Sequence, residues 1–118
     1  MELVCFQGPD KENWAQINAL IKRGEWEKVF VIKDKTAEEF SMDDKCSVIN
    51  INSDKPLLEI KQDIIEKLKT RIVKDFEVAL SIASGTGKTH MALLSALLSI
   101  PVGIRLVAFT KNGVEFIS

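Results

Sequence analysis

The sequence predicts an α/β domain built on a mainly parallel six-stranded sheet, order 3-2-1-4-5-6, with helices on both faces and an antiparallel last strand. Three observations lead there. Short, continuous apolar runs alternate with segments of helical period along the chain. The last two apolar runs flank Lys111-Asn112-Gly113, and Asn-Gly between apolar runs is a strong hairpin signal. No repeat, low-complexity tract or linker interrupts the alternation, so residues 1–118 are expected to form one domain with no attached effector.

Leu3-Val4-Cys5-Phe6 is the first expected strand, closed by the turn Gln7-Gly8-Pro9. Asp10 is placed to cap a helix whose Trp14, Ile17, Leu20 and Ile21 recur at helical spacing up to Arg23-Gly24. Val29-Phe30-Val31-Ile32 has no polar alternation, as in a parallel strand buried on both faces. Lys33 to Lys45 is charged and weakly patterned, with a helical turn expected over Ala37 to Phe40. Val48-Ile49-Asn50-Ile51 reads as the third strand. Asp54 and Pro56 open a second long helix carrying Leu57, Ile60, Ile64, Leu68 and Ile72 as its buried stripe. Val78 to Ile82 makes a fourth strand. From about Thr89 to Ile100 a third helix has Met91, Leu93, Leu94, Leu97, Leu98 and Ile100 on all its sides, with Ser95 and Ser99 as polar relief. Such a helix needs cover on more than one side, either inside the monomer or at a subunit interface. Pro101 ends it. Ile104 to Phe109 and Val114 to Ile117 are the last two strands, giving a Rossmann-like three-layer architecture.

Composition limits the function. Sixteen basic residues oppose 17 acidic ones for a net charge of −1, leaving no global field to hold duplex nucleic acid or an anionic membrane. Phosphate chemistry must therefore be local. Cys5 and Cys46 have no metal-type spacing and read as buried, reduced thiols of a cytoplasmic protein. Glu2 breaks the only apolar start, so no signal peptide is expected. Pro101, Gly103 and Arg105 interrupt the apolar stretch from Met91 to Phe109, so no membrane span is expected either. No paired carboxylates, Ser-His-Asp set or metal-ligand cluster stands out, and no cofactor or metal is implied.

The concentrated chemistry is Ser84-Gly85-Thr86-Gly87-Lys88-Thr89-His90, between the fourth strand and the third helix. A nucleotide-triphosphate phosphate loop needs G-x-x-x-x-G-K-[ST], and its first glycine would fall at position 82, which is Ile. The following strand, Ile104 to Phe109, carries no acidic residue to help hold magnesium. A degenerate phosphate loop is the alternative that survives. The physics of an anion site survives as well. Ala83, Ser84, Gly85 and Gly87 allow close approach to the backbone, and the helix N-terminus presents amides and a positive dipole end. Lys88 adds charge, and Ser84, Thr86 and Thr89 add hydroxyls. The opposing reading is a glycine-rich turn that only starts a helix. In the expected strand order the loops after strands one and four open a crevice at the switch point of the sheet. The motif then faces Gln7, Gly8 and Asp10.

At this point nearly the whole chain resembles a CARF domain, the CRISPR-associated Rossmann-fold sensor of cyclic oligoadenylates. Ser84-Gly85-Thr86-Gly87-Lys88, with Met91 and Ala92 in an apolar helix behind it, is similar to the family's T-G-G-T-K followed by Met. The order G-T-G and the three positions from Lys88 to Met91 depart from that pattern. The resemblance implies a homodimer whose two crevices join around a cyclic RNA, with the apolar third helix suited to the interface. It implies that Ser84, Gly85, Thr86, Gly87, Lys88 and Thr89 cradle phosphate while Gln7, Gly8, Asp10 and Asn13 face ribose or adenine. Asp10 equally serves as a helix cap. A stand-alone CARF domain would be a sensor, a metal-independent ring nuclease antagonising or tuning antiviral defence, or a dimerising module without ligand. For ring cleavage the catalytic candidates are Lys88, to stabilise developing charge, and His90, the only histidine, as acid or base. His90 equally reads as an exposed residue in the first turn of its helix.

Overall fold

The computed structural model describes residues 1–9, 11–37, 43–72 and 77–118. Ten elements follow in order: β1 (Glu2–Gln7), a 3-10 turn (Lys11–Asn13), α1 (Trp14–Arg23), β2 (Val29–Asp34), β3 (Cys46–Ile51), α2 (Leu57–Leu68), β4 (Glu77–Ser81), α3 (Gly87–Ser99), β5 (Gly103–Thr110) and β6 (Gly113–Phe116). The sheet runs β3-β2-β1-β4-β5-β6, parallel throughout except for the antiparallel β5–β6 pair. This is the expected architecture.

Its layers follow from strand chemistry. Side chains alternate across a strand, and β1 and β2 are apolar on both alternations. Leu3, Cys5, Val29 and Val31 pack against Ile17, Leu20 and Ile21 of α1. Val4, Phe6, Phe30 and Ile32 pack with Ile60, Ile64 and Leu68 of α2 and Leu93 and Leu97 of α3. Each large side chain buried this way contributes roughly 1.5–3 kcal/mol.

Element ends deviate from expectation in instructive ways. The expected N-cap Asp10 lies outside the described residues, as does the end of the helical turn expected over Ala37 to Phe40. A 3-10 turn precedes α1. At the other end of α1, the Gly24 amide and Trp26 Nε1 both donate to the Leu20 carbonyl, at 3.0 and 2.7 Å. Gly24 is glycine for space: a Cβ there would lie 2.1 Å from Trp26 Nε1. The helix α2 stops at Leu68, although Ile72 beyond it is still buried. The hairpin pairs Thr110 with Gly113, so of the expected connection Lys111-Asn112-Gly113 only Lys111 and Asn112 form the loop, and Gly113 opens β6. Gly113 has positive φ (+102°), and among the described residues no non-glycine residue does.

The outer surface of α3 departs from monomer-only packing. Thr89, Ala92, Leu93, Ala96 and Leu97 are buried, but Met91 is 60% and Leu98 71% exposed, with Leu94 also exposed. The monomer covers one side of the helix and leaves a stripe at positions i, i+3 and i+7 in solvent.

The strand β5 changes partners midway. Its first half pairs with β4 from Gly103 to Leu106, and its second half pairs with β6 from Val107 to Thr110. Beyond the end of β4, Gln16 of α1 occupies the vacated backbone: its Nε2 donates to the Phe109 carbonyl at 2.8 Å and its Oε1 accepts from the Phe109 amide at 2.6 Å. A side-chain amide thus takes the place of a strand.

Candidate functional site

In a parallel sheet every strand delivers its C-terminal end to the same edge, and ligands bind where neighbouring crossovers diverge. Here β1 and β4 are neighbours, so the divergence lies between the loops that follow them. Those loops touch. The Gly8 amide donates to Ser84 Oγ at 2.8 Å, and Ser84 is buried. Trp14 Nε1 donates to the Gly8 carbonyl at 2.7 Å. A Cβ on Gly8 would sit 2.7 Å from both Cα and N of Gly85, so the two backbones meet with no room for a side chain. Gly85 has φ +108°, a region open to glycine, and a Cβ there would lie 2.7 Å from Phe6 Cδ1.

The helix α3 begins two residues before the expected Thr89, because Thr86 caps it. The Thr89 amide donates to Thr86 Oγ1 at 3.3 Å and the Thr86 amide to Thr89 Oγ1 at 2.9 Å, a reciprocal capping pair. The Thr89 hydroxyl donates in turn to the Thr86 carbonyl. Both threonine hydroxyls are thus engaged in starting the helix. The amides of Gly87 and Lys88 are left without an intrahelical or capping acceptor among the described residues, and they point out of the positive end of α3. Lys88 Nζ reaches across to donate to the Ser53 carbonyl at 3.0 Å.

The only histidine does something else. His90 Nε2 lies 2.6 Å from the Ser84 carbonyl. A carbonyl only accepts, so Nε2 carries the hydrogen, and the ring clasps the loop from behind.

A cleft of about 320 Å³ opens at this edge. Of the expected site residues, Gln7, Gly85, Thr86, Lys88 and Thr89 line it. Gly8, Ser84 and His90 instead shape the loop through the contacts above. Gly87 lies at the α3 N-terminus, Asn13 in the turn before α1, and Asp10 outside the described residues. A larger hollow of about 580 Å³, lined by Glu2, Glu27 and Arg71 among others, lies at the N-terminal edge of the sheet. Of the two, the smaller cleft lies at the switch point of the sheet and beside the α3 N-terminus.

Sequence reading missed the opposite wall: Asp34 at the end of β2, Thr36 just after it, and Ser53 just after β3. Asp34 Oδ1 accepts from the Thr36 amide at 3.1 Å and the Thr36 hydroxyl at 3.2 Å, and its Oδ2 accepts from the Ser53 hydroxyl. Burial alone would raise the Asp34 pKa, but the hydrogen bonds from Ser53 and Thr36 outweigh it and hold the carboxyl below its ordinary value. The buried Lys33 secures the same turn, donating to the carbonyls of Asp34 and Ala37 at 3.2 and 2.9 Å. The one signal for this wall was strand order, which brings the ends of β2 and β3 to the edge that carries the motif.

Neither thiol is poised for nucleophilic work. Both cysteines are free; Cys5 is buried as expected, whereas Cys46 is only partly buried. Burial holds the Cys5 pKa far above the ordinary thiol range, and burial with the nearby Asp43 charge pushes Cys46 up to about 11. Among the described residues no group of three His, Cys, Asp or Glu could hold a metal, and no helix is long and apolar enough to cross a membrane. No protein-family model matches the sequence, and no curated protein matches it.

Proposed function

We propose that this chain is a CARF-like domain that binds a cyclic oligoadenylate, or a related nucleotide, at a site completed by a second copy of itself. One observation carries the reading: a cleft at the sheet's switch point is lined by Gly85, Thr86 and Lys88 and adjoins the α3 N-terminus, where the Gly87 and Lys88 amides have no acceptor among the described residues. A phosphate there receives hydrogen bonds, dipole and charge together. The resemblance of Ser84 to Lys88 to the CARF motif selects cyclic oligoadenylate among phosphate ligands.

The exposed stripe of Met91, Leu94 and Leu98 supports the dimer. It lies on the helix whose N-terminus lines the cleft, so a two-fold partner seated on it brings a second cleft close to the first. A cyclic, symmetric ligand suits such a pair.

Between sensing and cleavage, the placement of His90 favours sensing. Its ring holds the Ser84 carbonyl and does not line the cleft, so no acid or base is offered to a ribose hydroxyl from that position. Lys88 remains able to stabilise charge developing on a phosphate during metal-independent in-line attack.

Incubation with radiolabelled cyclic tetra- and hexa-adenylate, resolved for binding and for cleavage products, tests the reading. Binding without 2′,3′-cyclic phosphate products is expected. Cleavage abolished by His90→Ala with binding retained would restore the ring-nuclease reading. Saturable binding of magnesium-ATP in place of the cyclic ligands would favour a degenerate phosphate loop. Binding of no nucleotide at high micromolar concentration would leave a dimerising module.

A further inference from the structure

Five asparagines lie in the chain, and only Asn112 is followed by glycine. Asparagine is thermolabile because its own backbone can attack it: the nitrogen of the next residue reaches the side-chain carbon Cγ and closes a five-membered imide. A side chain on the next residue crowds that nitrogen, and regular secondary structure holds it in a hydrogen bond. Asn18 lies within α1 and Asn50 within β3, so helix and ladder restrain both. Asn13 sits in the 3-10 turn and precedes the bulky Trp14. Asn52 accepts from the Asp54 amide on its Oδ1 at 3.0 Å, which ties up its side chain.

Asn112 escapes these restraints. It is exposed, in the two-residue loop of the β5–β6 hairpin. Gly113 brings no side chain, and the space a Cβ would take there has nothing within 4 Å. Gly113 pairs with Thr110 at the very end of the ladder, where pairing frays at little cost. The Asn112 side chain has one weak tether: its Nδ2 donates to Glu115 Oε1 at 3.4 Å, longer than an ordinary N–H···O bond. The Asn112 amide donates to Thr110 Oγ1 at 3.1 Å, an exposed contact.

We infer that Asn112 is a site of spontaneous deamidation, with water as the only co-reactant; the nucleotide reading above plays no part in it. The Gly113 nitrogen bonds to Asn112 Cγ while the Cγ–Nδ2 bond breaks, and ammonia leaves carrying the proton of the Gly113 amide. Water then opens the imide. Attack at Cγ gives aspartate, and attack at the main-chain carbonyl gives isoaspartate, with the chain routed through the side-chain carbon. Both products put a carboxylate where Glu115 had a donor, and the chain becomes one unit more negative than its −1. The new charge repels Glu115, whose other oxygen accepts from Thr110 Oγ1 at 2.8 Å. Isoaspartate also lengthens the backbone beside the Thr110–Gly113 pair. The strand so disturbed carries Phe116, whose ring lies under the Arg105 guanidinium and meets Trp26 edge-on. The hairpin loosens with the age of the molecule.

Ageing the purified protein in mildly alkaline buffer at physiological temperature, with samples resolved by isoelectric focusing and tryptic mass mapping, tests it. Trypsin cuts after Lys111 and releases residues 112–118 for the measurement. One acidic band is expected to grow, with the amide-to-acid mass gain on that peptide, divided between aspartate and isoaspartate. Its rate should exceed that of every other asparagine by about tenfold or more, a barrier lower by about 1.4 kcal/mol. Asn112→Gln, whose longer side chain would have to close a six-membered ring, should lose the band, and a band that persists in it overturns the inference. The wild-type measurement involves no substitution, so misfolding of the variant cannot imitate the result. A mass gain that appears first at Asn13, Asn18, Asn50 or Asn52 also overturns it. So does an unchanged 112–118 peptide over a period in which a synthetic peptide of residues 108–118 deamidates, because the folded hairpin then blocks the attack.

Discussion

Gly85→Ala places a methyl group where the β4–α3 loop has no room. The new Cβ would lie 2.7 Å from Phe6 Cδ1, 2.9 Å from Thr89 Oγ1 and 3.1 Å from His90 Nε2. Phe6 is a buried ring in the core and cannot swing away cheaply. The backbone at φ +108° adds strain for any L side chain, about 1–3 kcal/mol. Overpacking costs about 1–3 kcal/mol more. The two relax partly together, so the expected loss is about 2–5 kcal/mol. A domain of this size has roughly 5–15 kcal/mol of stability in all, so the variant loses a large share of it and melts roughly 6–30 °C lower, at about 3–6 °C per kcal/mol. Gly87→Ala is the internal control. It sits two residues on, in the first turn of α3, with nothing within 4 Å of its Cβ and no positive φ. It should be neutral or stabilise by about 0.4–1 kcal/mol. Thermal and urea melts followed by circular dichroism measure both. Equal melting of the two variants, or Gly85→Ala within about 1 kcal/mol of wild type, would refute the account of this loop.

Other consequences are as direct. Gln16→Ala strips both partners from the Phe109 backbone and should cost about 1–3 kcal/mol in a urea melt, whereas Gln16→Glu keeps only the acceptor half and should recover part of it. Leu98→Lys on the exposed α3 stripe should convert a dimer to a monomer by light scattering without lowering the stability of the monomer. Asp34 has a folded pKa below its ordinary 3.8. Its stabilising contribution is therefore fully present above that value and is lost as pH falls through the depressed one. Asp34→Asn should flatten the acid limb of the stability profile below about pH 4 and leave the limb above pH 7 unchanged.

Apolar patterning made the sheet legible. Val29 to Ile32 and Leu3 to Phe6 carry no polar alternation, and only strands covered on both faces can tolerate that. Handed crossovers then left few orders to consider, and β3-β2-β1-β4-β5-β6 is the one found. Boundaries were less legible because competing contacts set them. The α3 start moved to Gly87 because Thr86 and Thr89 cap one another, a threonine version of a pattern usually signalled by Glu or Gln. The hairpin falls at the expected Lys111-Asn112-Gly113, but Gly113, with its positive φ, already pairs as the first residue of β6 and leaves Lys111-Asn112 as the loop.

The site was half legible. Glycine, lysine and hydroxyl residues crowded before a helix announce an anion site locally, and Gly85, Thr86, Lys88 and Thr89 do line the cleft. Asp34, Thr36 and Ser53 carry no local signature, since an acid after a strand usually only caps a turn. Their meaning comes from being carried to the same edge by separate strands. Gln16 is similar: a polar residue on a helix gave no hint that it would complete a strand more than ninety residues away, a separation of |i−j| = 93.

The central claim is that a nucleotide phosphate rests on the open amides at the start of α3. Amide chemical shifts followed by heteronuclear NMR during titration with cyclic tetra-adenylate test it most directly. The account predicts that the Gly87 and Lys88 amides move furthest, with Gly85 close behind, and that Lys88→Ala weakens binding by about 1.5–3 kcal/mol, roughly ten- to a hundredfold. Saturable binding that leaves the Gly87 and Lys88 amides unmoved while shifts cluster around Glu27, Lys28 and Arg71, at the opposite edge of the sheet, would contradict it.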